Sequence, residues 1–115
     1  MTNLNRGLFL LLVLHLFSCT KEPSTSAPEQ KTPTEVVERG RSIYNLNCIA
    51  CHNVDSSKEG TAGPAIKGSS KELIEARILR AEYPPEYKPK RNTKSMPALP
   101  HLNKEIPALT AFLNQ

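Results

Sequence analysis

The pattern of hydrophobic and polar positions divides the chain into an apolar N-terminal stretch, a polar segment and three segments with helical periodicity. The first helical segment, EVVERGRSIYNLN, follows Thr34 as its predicted N-cap, and its early glutamates suit the positive end of the helix dipole. Its apolar positions recur at helical spacing and therefore predict one buried face. These positions are Val36, Val37, Gly40, Ile43 and Tyr44.

Two further helices are predicted in the second half of the chain. Ser70 is the predicted N-cap of KELIEARILRA, which must end before the consecutive prolines at 84 and 85. Asn103 is the predicted N-cap of KEIPALTAFLNQ, with Pro107 in its first turn or just past it. The predicted inner faces are Leu73, Ile74, the stem of Arg77 and Ile78 in one helix, and Ile106, Leu109, Phe112 and Leu113 in the other.

The connections between these helices are long, and no segment has the pattern of a β-strand. Residues 53–70 are rich in Gly and Ser, and residues 83–100 contain five prolines, so both predict loops. The sequence therefore predicts an all-α fold of three main helices. Loops of this length are uncommon in a small domain unless a ligand organises them.

The expected core is small. The aromatic residues after residue 33 are Tyr44, Tyr83, Tyr87 and Phe112. Chains of this size usually gain stability from disulfides, a metal or a cofactor. Because the only cysteines are Cys19, Cys48 and Cys51, a disulfide framework is excluded, and a metal or cofactor is expected.

The N-terminal residues 1–18 carry one positive charge followed by an apolar run, residues 7–17. A helix rises about 1.5 Å per residue, so this run is too short to cross a hydrocarbon core of about 30 Å. Its length and flanks are typical of a secretory signal peptide. The protein is therefore predicted to be exported.

The sequence LFSC, residues 16–19, resembles the lipobox of bacterial lipoproteins. That resemblance implies cleavage before Cys19 and lipid attachment to it, which would anchor the protein to a bacterial membrane on its periplasmic or other extracytoplasmic side. The residue after the cysteine is Thr20 and not aspartate, which resembles the pattern of lipoproteins sorted to the outer membrane. The alternatives are an ordinary signal peptide that leaves Cys19 as a free thiol, or an uncleaved anchor too short to span.

A polar segment follows the lipidation site. Residues 19–33 are predicted to be a flexible Pro/Ser/Thr tether whose coil spans about 20 Å, and residues 34–115 to be the folded domain. The formal net charge of the chain is +4. This modest excess does not indicate a nucleic-acid partner, which would require a denser basic stripe.

The motif CIACH, residues 48–52, places two cysteines three positions apart and a histidine directly after the second. The pattern fits two free thiols, a local disulfide, or a zinc site completed by His101. A thioredoxin-like redox pair would need a βαβ context, which is absent from the predicted elements. The CIACH motif also fits covalently attached haem. Cys48 and Cys51 would then be joined to the vinyl groups, and His52 would bind the iron. Export and the small core favour haem.

Met96 is the candidate for the sixth iron ligand. It is the only methionine besides Met1 and lies in the proline-stiffened sequence KSMPALP. A soft, uncharged ligand suits an electron carrier, since little then has to move between oxidation states. The alternative role of such a methionine is ordinary core filler.

The segment 34–115 resembles the class I c-type cytochromes in its first helix, C-x-x-C-H, GPAIKG loop, methionine followed by proline, and last helix. The resemblance implies a small cytochrome c-like fold wrapped around one covalently attached haem c. The site residues it implies are Cys48 and Cys51 as attachment sites, His52 and Met96 as axial ligands, and Pro64 as the acceptor of the imidazole N–H. It also implies that Gly40 and Tyr44 pack against Leu109 and Phe112.

This resemblance implies single-electron transfer, and no catalytic constellation suggests an enzyme. His/Met ligation raises the reduction potential, so a terminal oxidase, reductase or peroxidase is the expected redox partner. The alternative is a haem-based ligand-binding or sensing protein, or a weak peroxidase, with an open or His101-ligated sixth site. A non-haem lipoprotein is the third interpretation.

The segment AEYPPEYKPKRNTK departs from the family pattern in its proline, tyrosine and lysine content. Tyr83 or Tyr87 would cover the haem edge or bond a propionate, unless the segment is simply an exposed loop. The basic residues of the segment would either form a rim that steers an acidic redox partner or be solvated. They are Lys88, Lys90, Arg91 and Lys94.

Overall fold

Three α-helices and one 3₁₀ helix form the regular structure of residues 30–115, the part of the chain that the computed structural model describes. They are α1, Pro33–Asn47; α2, Lys71–Arg80; the 3₁₀ helix, Pro100–Glu105; and α3, Ile106–Leu113. No β-strand occurs in this range, and long loops connect the helices as expected. The predicted all-α fold is confirmed.

The predicted signal peptide, residues 1–18, and the predicted lipidation site, Cys19, lie outside the described residues. Most of the predicted tether does so too. Among the helices of residues 30–115, none has the length and hydrophobicity that crossing a bilayer requires.

Helix α1 begins earlier than predicted. Its N-cap is Thr32 rather than Thr34, since the Thr32 hydroxyl accepts the Glu35 N–H at 3.3 Å and the Glu35 carboxylate accepts the Thr32 N–H at 2.6 Å. Such a capping box needs a Glu or Gln three residues after the cap, and Thr34 is followed at that distance by Val37. Pro33 fits the first helical position because its missing N–H would have no intrahelical partner there.

Helix α3 begins later than predicted. Asn103 does not cap it but lies in the preceding 3₁₀ helix, where its carbonyl accepts the Ile106 N–H. With Asn103 as the cap, Pro107 would be the residue whose N–H makes the first α-helical bond, and proline has none. Starting α3 at Ile106 puts Pro107 in the first turn, where no donor is needed. Ser70, by contrast, caps α2 as predicted, accepting the Leu73 N–H at 3.3 Å.

The crossing of α1 and α3 forms the centre of the fold. Gly40 lies where the helices approach so closely that a Cβ on it would be 2.0 Å from the Ala108 carbonyl oxygen. One turn later, the ring centroids of Tyr44 and Phe112 are 5.2 Å apart. Leu109 is buried at the same crossing. The predicted packing of the first helix on the last is confirmed.

A buried hydrophobic cluster surrounds this crossing. Its members are Ile43, Tyr44, Ile74, Ile78, Leu102, Ile106, Leu109, Phe112 and Leu113. Cys48, Met96 and Leu99 are partly buried and pack against it. The core therefore lies directly behind the cysteine motif and the Met96 segment.

Candidate functional site

The C-x-x-C-H motif continues the last turn of α1. Cys48 is the C-cap of the helix, and its N–H donates to the Tyr44 carbonyl at 2.9 Å. The Cys48 carbonyl in turn accepts the N–H groups of Cys51 and His52, at 3.1 and 2.9 Å. Cys48 and His52 are thus one helical turn apart and lie on the same side of the chain. No disulfide joins Cys48 to Cys51.

A cavity of about 230 Å³ lies between the core and the two long loops. All five residues predicted for the cofactor site line it, although they come from three parts of the chain: Cys48, Cys51, His52, Pro64 and Met96. His101, the alternative ligand, is exposed and does not line this cavity.

The zinc interpretation lacks a ligand set. Zinc sites need four ligands in structural proteins, or three and an open position in enzymes. Within residues 30–115, no three His, Cys, Asp or Glu side chains are grouped closely enough to hold a metal ion. The motif therefore does not form a protein-only metal site with His101.

The imidazole of His52 is held in one tautomer by the loop that follows the motif. Its Nδ1 lies 2.8 Å from the Pro64 carbonyl oxygen. A carbonyl can only accept, so Nδ1 carries the proton and the neutral ring keeps its lone pair on Nε2. Nε2 is therefore the nitrogen left to bind a metal.

Gly63 lies against the His52 ring. Its role in the site was not predicted from the sequence. A Cβ at Gly63 would lie 2.4 Å from Cε1 and 2.5 Å from Nδ1 of the His52 ring. The Gly63 N–H also donates to the Cys51 carbonyl at 2.9 Å, which brings the loop back onto the motif. Only a glycine allows the backbone to lie this close to the imidazole. The sequence offered one signal, the position of Gly63 directly before Pro64.

Burial disfavours the thiolate form of the first cysteine. Desolvation, and then the neighbouring Cys51 thiol, raise the pKa of Cys48 to about 11. A thiol with a raised pKa has little thiolate at neutral pH and is a poor redox nucleophile. Tyr44 next to it is also desolvated, which raises its pKa to about 12, and its hydroxyl donates to the Asn53 carbonyl. The same side chain that packs on α3 thus fixes the chain just after His52.

A buried cation is part of the cavity wall. Arg77 is 8% exposed, lines the cavity and forms no ion pair with any residue of the described range. Its guanidinium donates to the Ala81 carbonyl and lies 4.3 Å from the centroid of the Tyr83 ring, which stacks on Tyr87 at 5.4 Å. Sequence reasoning counted only the stem of Arg77 and missed its buried head. Tyr83 and Tyr87 line the cavity, so they are part of the site wall rather than an outlying loop.

The cavity walls fit a covalently held haem. The two cysteines, which form no disulfide, line the cavity together with the His52 imidazole, whose Nε2 is available, and the Met96 thioether. Apolar side chains dominate the remaining lining, which suits a flat hydrophobic macrocycle. The unpaired Arg77 offers a charge partner to carboxylates on such a group. The cavity therefore has residues suited to the vinyl groups, the iron, the flat macrocycle and the carboxylates of a haem.

Comparison with protein families gave the same result. The model of the cytochrome c family matches residues 37–115, which contain the motif, the Met96 segment, α2, α3 and most of α1. Comparison with curated proteins and with solved structures returned no match. Cytochrome c domains hold haem c through the cysteines of C-x-x-C-H, which Cys48 and Cys51 supply, and serve haem-based electron transfer. The chain therefore belongs to the cytochrome c family.

Proposed function

We propose that this protein is a membrane-tethered, single-haem electron carrier in which His52 and Met96 are the axial ligands. The observation that carries the proposal is that Met96 lines the same cavity as Cys48, Cys51 and His52. The exposed position of His101 outside this cavity counts against its use as a ligand. The protein is a carrier rather than an enzyme, because the chemistry is confined to a one-electron change.

Haem c supplies that one-electron change at its iron when bound. The chain's own residues hold the site rigid, so that little reorganisation accompanies the change. Pro64 orients the His52 imidazole through a bond of 2.8 Å, and Met96 is held against the hydrophobic core. A thioether ligand opposite an imidazole raises the reduction potential relative to two nitrogen ligands. The buried positive charge of Arg77 acts in the same direction, since it favours the less positive, reduced state.

We further propose that the protein lies outside the cytoplasm, anchored by lipid on Cys19, with the outer membrane favoured. The support is the N-terminal sequence, with its short apolar run and LFSC. A tether of residues 19–33 would let the domain reach redox proteins near the membrane. A terminal oxidase, reductase or peroxidase is the expected class of partner.

Carbon monoxide tests whether the sixth site is closed. In the reduced holoprotein we expect slow and incomplete binding, because Met96 must leave the iron before the gas can bind. An accompanying optical and potentiometric titration is expected to report one haem and a potential typical of His/Met ligation. Rapid, complete binding of carbon monoxide would contradict the carrier and favour a ligand-binding, sensing or weakly peroxidatic protein instead.

Replacing Gly63 with Ala is expected to disturb the His52 ligand. The added Cβ would overlap the imidazole at 2.4–2.9 Å, so the ring must move and its bond to Pro64 is lost. Overpacking of this kind usually costs about 1–3 kcal/mol in the free energy of unfolding. The loss is expected as a lower urea midpoint together with a shifted reduction potential.

Gly68→Ala is the matched control in the same loop. Gly68 has φ +77°, and a Cβ on it would meet nothing within 4 Å. This variant is expected to lose about 1 kcal/mol through backbone strain alone, with an unchanged potential. If both variants shift the potential equally, the contact between Gly63 and His52 is not what positions the ligand.

A further inference from the structure

The segment that carries Met96, residues 88–98, has no backbone–backbone hydrogen bonds to the rest of the described structure. It contains two prolines. Nine of the eleven residues in this segment are exposed; Arg91 and Met96 are the two that are not. A segment of this kind opens locally at low free-energy cost unless side chains hold it.

Two basic side chains of this segment bond to the loop of residues 59–65. Arg91 Nε donates to the Glu59 carboxylate at 2.9 Å, and its Nη2 donates to the same carboxylate and to the Gly60 carbonyl at 3.2 Å. Lys90 Nζ donates to the Ala65 carbonyl at 2.7 Å. All of these acceptors lie in residues 59–65, the loop that also presents Pro64 to His52.

The Glu59 carboxylate that accepts from Arg91 is held in place by its own loop. Its other carboxylate oxygen accepts the Ala65 N–H at 3.3 Å, so the side chain is already fixed on its own loop. The hydrogen bond from Arg91, and then the one from Ala65, lower the pKa of Glu59 below its usual value. The carboxylate is therefore charged at neutral pH, and the contact is a charge-assisted bond between the two loops.

We propose that Arg91, with Glu59 as its partner and Lys90 beside it, is a positioning residue that holds the Met96 segment closed over the cavity. The inference rests on the proposed ligation by Met96 and adds what keeps that ligand in place. It also changes the role of the basic cluster. Lys90 and Arg91 bond within the protein, which leaves Lys88 and Lys94 as the members of the cluster available for steering a partner.

Imidazole binding to the oxidised holoprotein measures this closure without any assay of electron transfer. Imidazole can take the sixth site only in molecules where Met96 has left the iron, so its apparent affinity rises in proportion to the open fraction. We expect Arg91→Gln and Glu59→Gln each to raise the apparent affinity about fivefold, the upper range for an exposed ion pair. The double variant is expected to resemble either single one, because both remove the same contact.

Lys88→Gln is the matched control, since it removes one positive charge from the same exposed segment. Lys88 makes no hydrogen bond or ion pair with another residue of the range 30–115. Its variant is expected to bind imidazole within about twofold of the wild type. Arg91→Lys keeps the charge but loses the two-nitrogen contact, so an intermediate affinity is expected.

The outcomes separate this inference from the proposed function. Ligation of haem iron by the Met96 sulfur is expected to give the oxidised protein a weak red charge-transfer band. If that band survives Met96→Ala, ligation by Met96 is wrong, and the positioning role of Arg91 falls with it. If that band is lost in Met96→Ala but Arg91→Gln binds imidazole no better than Lys88→Gln, the carrier stands and the positioning role alone is overturned.

Discussion

Replacing Met96 with Ala is expected to abolish the weak red charge-transfer band of iron–sulfur ligation in the oxidised protein. Met96 is the one methionine of the described residues, so no other methionine there can take its place at the cavity. The reduced variant is expected to bind carbon monoxide rapidly and completely. Its reduction potential should fall by a sizeable part of the roughly 0.8 V over which axial ligands tune haem iron. Absorption spectra with and without carbon monoxide, and a potentiometric titration, measure these three effects.

Two further variants separate ligation from packing. Met96→Leu keeps most of the side-chain volume against the core but has no sulfur, so it should lose the band while retaining nearly all of the stability. His101→Ala removes the alternative ligand, and its spectrum is expected to match the wild type because His101 is exposed. An unchanged band in Met96→Leu, or a spectrum altered by His101→Ala, would show that the sixth ligand has been misassigned.

Replacing Gly40 with Ala is expected to destabilise the fold by about 3 kcal/mol or more, through overpacking that moves backbone. The new Cβ would lie 2.0 Å from the Ala108 carbonyl oxygen and 2.7 Å from Phe112 Cβ, so α1 and α3 would have to separate. Helix propensity alone predicts the opposite sign, since alanine is favoured over glycine by about 1 kcal/mol within a helix. Urea denaturation followed by circular dichroism gives the free energy of unfolding.

Asn45→Ala provides the comparison on the exposed face of the same helix. Asn45 is exposed, so this substitution is expected to change stability by no more than about 0.5 kcal/mol, in the stabilising direction. Gly40 does not line the cavity, and the folded Gly40→Ala protein should therefore keep the wild-type spectrum. A Gly40→Ala protein as stable as Asn45→Ala would mean that the helix crossing is not tightly packed.

Sequence reasoning located the helices better than their ends. The apolar spacing predicted α1, α2 and α3, because burial of one helix face leaves a period that the sequence displays directly. The caps at Thr34 and Asn103 were wrong for local reasons: Glu35 completes a capping box with Thr32, and Pro107 cannot donate the first bond of an earlier α3. For α1 the choice lay between two threonines, Thr32 and Thr34, whose intrinsic preference for the cap is the same.

The candidate site residues could also be predicted from the sequence, because covalent attachment and metal ligation require particular residue types at particular spacings. Cys48, Cys51 and His52 are adjacent in the chain, and Met96 and Pro64 stand out by their neighbours. The structure adds that all five line one cavity. Their roles remain predictions that the variants above test.

What the sequence by itself determined is therefore the all-α class, the covalent haem motif and the identity of the ligand candidates, since each depends on residue type and short-range spacing. Only the tertiary structure decided which long-range contacts support them. Gly63 lies against His52, the head of Arg77 is buried without an ion pair to any residue of the range 30–115, and Arg91 bonds to Glu59 on the loop that presents Pro64. The physical reason is that these contacts depend on the paths of irregular loops. Such loops have no periodicity from which the sequence could predict which residues come into contact.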